Sequence, residues 1–272
     1  FLVVHWFEPH MSYDPDDQHR GRFARTDDMP ITVPLQDHAI VNPWKKGEAP
    51  PVDTQDFVSA LYDEEILSVD AAFEQLTRGL VDRWGQTRLV FTADHGEEFW
   101  DHGSFEHGHT LYSELTRVPL VVVGAGIPAG RTSTLVGHQD LYSSLVTWGG
   151  GSHRQIWEGQ NWGGLDLMSL AQAELPGRSI MSESTLYGGE KVSLVKTTHR
   201  LIVDQRKGEY ELLCMKKETL NEAMCAERGD AWKKTQDALY QELYALRGNL
   251  VPVQHSTELR KTPDRNTTEE LK

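Results

Sequence analysis

The chain has 272 residues, with 27 Lys+Arg against 41 Asp+Glu and a formal net charge of −14. Domains run roughly 100–200 residues, so this is one large domain or a large one with a smaller attachment; 38% hydrophobic residues and eight Trp exclude a disordered chain. So acidic a field repels DNA and suits a cation site better than a nucleic-acid groove, and no apolar run approaches the roughly 20 residues of a membrane span.

Phe1–Trp6 is almost continuously apolar and reads as a strand buried on both faces. A chain opening on such a strand, with no Met, charged n-region or cleavage site, is expected to be a piece of a longer protein. From Glu8 to Pro51 the composition shifts to Asp, Arg, Pro and His without a sustained period. Residues 14–51 are therefore expected to form a long surface excursion. A helix capped at Asp53 or Thr54 follows, with Tyr62, Ile66, Val69, Phe73, Leu76 and Leu80 on one face and Gly85 at its end.

Arg88–Thr92 and Val118–Val123 read as two further buried strands, and Asp140–Trp148 as a helix. The order strand, helix, strand, loop, strand predicts an α/β fold, a mainly parallel sheet sandwiched by helices over residues 1–175. An irregular Trp/Gly-rich connection runs to Gly164. After Pro176 the pattern changes. Ser179–Glu183, Lys191–Thr197, His199–Asp204 and Glu209–Met215 form an antiparallel meander joined at Gly188-Gly189 and Lys207-Gly208. A helix over about 231–246, with Trp232, Leu239, Leu243 and Leu246 on one side, packs on it to complete a small α+β subdomain over 176–250. Residues 251–272 form a polar tail. Cys214 and Cys225 are too few for a disulfide framework or a zinc site, and leave open one bridge or two buried thiols.

The informative segment is Thr92–His109. In an open α/β sheet, ligands bind beyond the carboxyl ends of the strands, and Asp94 and His95 stand just past such an end. A carboxylate beside an imidazole is a mixed ligand pair for a divalent cation; the plainer reading makes Asp94 a helix cap and His95 a hydrogen-bonded core histidine. Of His102, His107 and His109, one or two are turn or surface residues. A second cluster, His5 to Pro15, ends the first strand, and in one parallel sheet its His10 emerges at the same edge as Asp94 and His95. His10 there can donate to an anionic group or protonate a leaving oxygen. His5, inside the strand, reads as a core histidine.

The two clusters resemble a family. FLVVHWFEPHMSYDP is similar to the strand and PHxPY turn of the sulfatases of the alkaline phosphatase superfamily, LYDEEILSVDAAFEQLTRGL resembles their YDxEIxxVD helix, and FTADHGEEFWDHGSFEHGHTLYSELTRVP carries their most specific motif. The later strands and Glu211–Leu246 resemble the small C-terminal domain of these enzymes, so the likeness covers nearly the whole chain.

The resemblance implies roles residue by residue. Asp94 and His95 match ligands of an active-site divalent ion, commonly calcium, with magnesium, manganese and zinc as alternatives. His10 matches the histidine that contacts the sulfate or the leaving oxygen. His107 falls where many members place a lysine that binds the same oxygens, with His109 as the fallback in substrate binding; Glu97 and Arg117 read as supporting ion-pair or capping residues. The family's nucleophile is a cysteine or serine in C/S-x-P-x-R, oxidised to formylglycine, and neither Cys214 nor Cys225 has that context. The chain is thus expected to hold the later half of a sulfatase-like site acting on a small-molecule or carbohydrate sulfate ester, and to be inactive alone. Rival readings are a phosphoester or phosphonate-ester hydrolase, a phosphoethanolamine-type transferase, and a non-catalytic binding protein on the same scaffold. Arg20, Arg22, Arg25, Lys45 and Lys46 are the candidates for meeting an anionic carbohydrate. The resemblance leans towards export, to which Asn266-Thr267-Thr268 adds a weak sequon. Neither substrate identity nor oligomeric state is legible.

Overall fold

The computed structural model describes residues 1–24, 31–85, 87–151, 164–172, 175, 177–215, 222–225 and 229–247. Arg25, the centre of the Trp/Gly-rich connection, the sequon and the polar tail lie outside them. In chain order the elements begin with α1 (His38–Lys45), α2 (Val52–Trp84), β1 (Arg88–Thr92), β2 (Glu98–Phe99), β3 (Phe105–Glu106), α3 (Ser113–Thr116) and β4 (Leu120–Gly124). Then come α4 (His138–Trp148), α5 (Leu167–Gln172), β5 (Ile180–Glu183), β6 (Lys191–Val195), β7 (His199–Asp204), β8 (Glu209–Met215), β9 (Glu222–Met224) and α6 (Asp230–Arg247). Two compact units result. Phe1–His107 with Arg117–Ala125 belong to the first; Gly108–Thr116 and the described residues from Gly126 to 247 belong to the second.

In the first unit α2 is capped two or three residues earlier than predicted, at Pro51, whose carbonyl accepts from the Thr54 and Gln55 amides. It ends at Gly85, whose φ of 65° suits glycine. Its buried face is Thr54, Phe57, Val58, Leu61, Glu64 and Glu65, at three- and four-residue spacing. The predicted face from Tyr62 to Leu80 is only half-buried, and Ile66 is exposed. The core lies against the first turns of the helix, while Phe73 on the later turns meets Phe91 of β1 at 5.1 Å.

Residues 14–51 differ from the expected surface excursion. Ala24, Ile31, Leu35, Val41 and Trp44 join Tyr13, Phe57, Val58, Leu61 and Phe105 in one core. The segment shows no period because loops and the short α1, capped by Asp37 on the Ala39 amide, deliver these side chains singly. The loop over 21–24 is fastened by Glu64, whose buried carboxylate accepts from the amides of Gly21, Phe23 and Ala24 at 3.1, 2.7 and 2.8 Å. Among the proposed anion-binding cations, Arg20 pairs with Asp14 and Lys45 with Glu106.

The expected parallel sheet is not seen among the described residues. β1 pairs with β4, antiparallel, from Arg88↔Gly124 to Thr92↔Leu120. The chain between them runs through β2, β3 and the four-residue α3 rather than a long crossover helix, and returns in the opposite direction. Gly124, at φ 118°, lies where a Cβ would sit 2.0 Å from the Thr87 carbonyl, so only glycine fits. Nor is Phe1–Trp6 a strand. It has no ladder partner among the described residues and Phe1, Leu2, Val3 and Val4 are exposed; apolar composition without a partner does not make a strand.

The second unit carries the predicted meander, a five-stranded antiparallel sheet in the order β5-β6-β7-β8-β9. β9 was not predicted. Leu239 and Leu243 of α6 close a core with Val192, Leu194, Leu201, Val203, Leu212 and Cys225, whereas Leu246 is exposed. Cys214 and Cys225 are bridged. A buried ion pair, Arg200–Glu222, holds Gly108–Thr116 on this sheet, the guanidinium donating to the Leu111 carbonyl and the Thr116 hydroxyl. Asp140 pairs with Arg178 and accepts from the Gly137 amide, capping α4.

Glu65 gives a test of packing in the first unit. One oxygen accepts from the Asp14 amide at 2.5 Å, and the other is buried without a hydrogen-bond partner among the described residues. Burial, reinforced by the charges of Glu8 and Asp14, pushes its carboxyl up to about 7. The proton's contribution to stability is full below the ordinary value of 4.5 and is lost as pH rises to about 7. Glu65→Gln keeps the acceptor without the charge. It should leave stability near wild type at pH 4.5 and raise it by about 2–3 kcal/mol at pH 8, read by urea unfolding.

Candidate active site

β1 delivers Ala93, Asp94 and His95 at its carboxyl end. The Asp94 side chain is exposed, and its Oδ1 accepts from the His95 amide at 3.0 Å. Nδ1 of His95 donates to the Gly96 carbonyl at 2.8 Å, because a carbonyl can only accept. This leaves Nε2 of His95 as the nitrogen that could serve as a ligand, 3.9 Å from Asp94 Oδ1. A ring anchored at one nitrogen by a backbone carbonyl is the usual state of a metal-binding histidine. The pair thus offers one carboxylate oxygen and one oriented imidazole nitrogen, a donor set that fits a divalent cation.

The hairpin that follows turns the chain back onto the same spot. Glu98 and Phe99 of β2 pair with Glu106 and Phe105 of β3. Its loop is closed by Glu98, which is buried and accepts from the His102 and Ser104 amides at 3.0 and 2.8 Å. One step beyond the ladder, Glu97 comes opposite His107. Glu97 Oε1 accepts from Nδ1 of His107 at 2.8 Å, and its Oε2 accepts from the Tyr13 hydroxyl at 3.1 Å. Tyr13 is fully buried and packs edge-on against Phe105 and Tyr62.

His10 completes the group. Its Nδ1 donates to the Met11 carbonyl at 2.6 Å, and its ring lies 4.9 Å from that of His107 and 6.4 Å from that of His95. The His95 and His107 rings are 4.0 Å apart. Three imidazoles therefore share one corner of the first unit, each held at Nδ1 with Nε2 as the nitrogen that can act. Burial works against the imidazolium form of His107, but the hydrogen bond and charge of Glu97, with the charge of Glu106, outweigh it and raise its pKa above the usual histidine value. Burial and then Glu97 push the Tyr13 phenol well above its ordinary value, so it stays a neutral donor.

Two residues of the hairpin, Trp100 and Glu106, have φ of 64° and 68°. Left-handed conformations at non-glycine positions cost about 1–3 kcal/mol each and mark sites where the surroundings impose the geometry. Glu106 is buried and paired with Lys45 of α1.

Of the residues singled out from sequence, His10, Asp94, His95 and His107 come together. His109 belongs to the second unit, where its carbonyl accepts from the Lys191 ammonium. Sequence reasoning left Tyr13 without a role and gave Glu97 only a supporting one. The signal for Glu97 lay in the spacing: with Trp100 to Ser104 forming the turn, 97 and 107 are register partners.

The sequence pattern of the sulfatase family matches residues 1–151, more than half of the chain. The chain belongs to the sulfatase family. It is 39% identical over 93 residues to GPI ethanolamine phosphate transferase 1 of Aspergillus oryzae, which is 32% of this chain and 8% of that protein. Arylsulfatase K of Xenopus laevis is 34% identical over 90 residues, covering 33% of this chain and 16% of its own. A solved structure in complex with its substrate D-glucosamine-2-N,6-O-disulfate superposes with a TM-score of 0.56 at 19% identity, covering 77% of this chain and 45% of that one. This sulfatase-family chain thus has an alkaline phosphatase-like fold and spans less than half the length of these relatives. No helix among its described residues is long and apolar enough to cross a membrane.

Glu97→Gln should remove the charge that supports the imidazolium of His107 and let burial dominate. The His107 pKa then falls, to below the ordinary histidine value. Titration of the His107 ring protons by NMR reads this directly, and an unchanged midpoint would show that Glu97 does not govern the ring.

Proposed function

We propose that the protein containing this chain hydrolyses sulfate esters, with a carbohydrate sulfate as the substrate class. The observation that carries the reading is the corner of three Nδ1-anchored imidazoles beside Asp94, one of them held by a buried carboxylate. Such an arrangement binds an anionic group and supplies a proton to a departing oxygen. Neither cysteine can act as the nucleophile, since the two are bridged to each other. None of the 272 residues lies in a C/S-x-P-x-R motif, and the reading takes a formylglycine nucleophile from outside them. The disulfide also supports an oxidising, exported location.

In this reading Asp94 and His95 hold a divalent ion; calcium would be met by the carboxylate oxygen, manganese or zinc by both donors. When bound, the ion would supply charge neutralisation at the sulfate oxygens and acidify the nucleophile. His107 holds its proton on Nε2 towards the leaving oxygen, while Glu97 fixes its Nδ1 and the Tyr13 hydroxyl fixes Glu97. His10, held by the Met11 carbonyl, presents a second donor to the same anion. Each such contact is typically worth a few kcal/mol in the transition state.

A second reading, phosphoryl transfer, is favoured by the likeness to an ethanolamine phosphate transferase. The two readings separate on substrate. The protein containing this chain should turn over p-nitrophenyl sulfate with kcat/KM at least about tenfold above that for a phenyl phosphonate monoester, and the reverse order selects phosphoryl transfer. Asp94→Ala should lose the bound metal, measured by elemental analysis, and lower turnover by about 10³-fold or more. Wild-type metal content and rate in that variant would sink the site assignment.

A further inference from the structure

We infer that Lys45 is a positioning residue for His107 and acts through Glu106. The inference rests on the reading of His107 as the donor to the leaving oxygen, and deepens it. Glu97 restrains the His107 ring at Nδ1, but that bond cannot by itself set the direction in which the backbone presents the ring. The peptide immediately before His107 does so, and it belongs to a non-glycine residue at φ 68°.

Glu106 is held in that conformation from outside the hairpin. Its residue is 6% exposed, its Oε1 has no hydrogen-bond partner among the described residues, and its Oε2 is paired with the Lys45 ammonium. A buried carboxylate with one unmatched oxygen stays charged and buried only while its cation stays beside it. Lys45 is itself fixed. The Ser104 hydroxyl donates to its carbonyl at 3.0 Å, and the neighbouring Trp44 ring packs edge-on against Trp100 and Phe105 at 5.5 and 5.4 Å. Two turns after Asp37 caps it, α1 thus ends locked onto the hairpin, with its last side chain across the residue that aims His107.

Without the ammonium, the Glu106 carboxylate moves towards water, and the backbone relaxes to the ordinary extended region. The chain then leaves β3 in a different direction and carries the His107 ring away from Glu97. A glycine at 106 adopts the same φ without strain, so it removes the need for the cation and also removes the lock.

The test uses the protein containing this chain with Lys45→Met, Lys45→Arg, Glu106→Gly and the double variant Lys45→Met/Glu106→Gly. Two readouts are taken: the nitrogen-15 and downfield proton signals of the His107 Nδ1–H bonded to Glu97, and kcat against KM. Lys45→Met should lose or strongly shift the His107 signal and lower kcat by about 10–100-fold with KM moved less than about threefold, as for a misaimed group. Lys45→Arg should restore both. In the Glu106→Gly background, which carries no buried carboxylate to leave uncompensated, Lys45→Met should have no further effect on either readout. A native His107 signal and native kcat in Lys45→Met overturn the inference, and so does a further loss in the double variant. A displaced His107 signal with unchanged kcat supports the positioning role and instead removes His107 from the reaction, so the two failures are told apart.

Discussion

The carboxylate of Glu97 is the constraint on which the candidate site depends. It is almost wholly buried, so both of its oxygens need partners, and the structure supplies one from each of two distant segments. Tyr13 comes from the turn that also carries His10, and His107 comes from the return arm of the hairpin. Satisfying this one group brings the first cluster of the sequence to the second. The cost of leaving such a charge unmatched is what makes the juxtaposition specific.

The same logic recurs through the first unit. Glu64 gathers three amides of one loop, Glu98 gathers two amides of the hairpin, and Glu106 takes the Lys45 ammonium. Glu65, by contrast, meets one amide and stays partly unmatched. The excess of acid in the composition is therefore not simply a solvated surface. Several carboxylates are internal braces whose partners are backbone N–H groups, which a count of Lys and Arg cannot reveal. Acid placed in this way organises loops that lack regular hydrogen bonding of their own.

Much of this was legible in the chain. The helix ending at Gly85, the helix over 140–148 and the antiparallel meander followed from spacing and turn residues; Asp94 and His95 stood out just past a strand end, His10 in its proline turn, and His107 through the resemblance to the family motif. What was not legible depended on partners far away in sequence. Pairing direction of Arg88–Thr92 is set by what its neighbour does, and apolar Phe1–Trp6 makes no ladder among the described residues. The core role of Leu35, Val41 and Trp44 was hidden because single apolar residues in loops have no period to detect. Tyr13 looked like one more aromatic after a proline turn, and only the buried carboxylate it meets gives it a task.

The Glu98 clamp has a consequence for how chains of this kind can vary. By holding the amides of His102 and Ser104, it fixes the number of residues between the two arms of the hairpin. Side chains alternate from face to face along a strand, so adding or removing one residue in that turn would send the His107 ring to the opposite side and leave Glu97 facing a different neighbour. Residue count there is constrained together with the left-handed turns at Trp100 and Gly103, so the turn between these arms behaves as a ruler of fixed length.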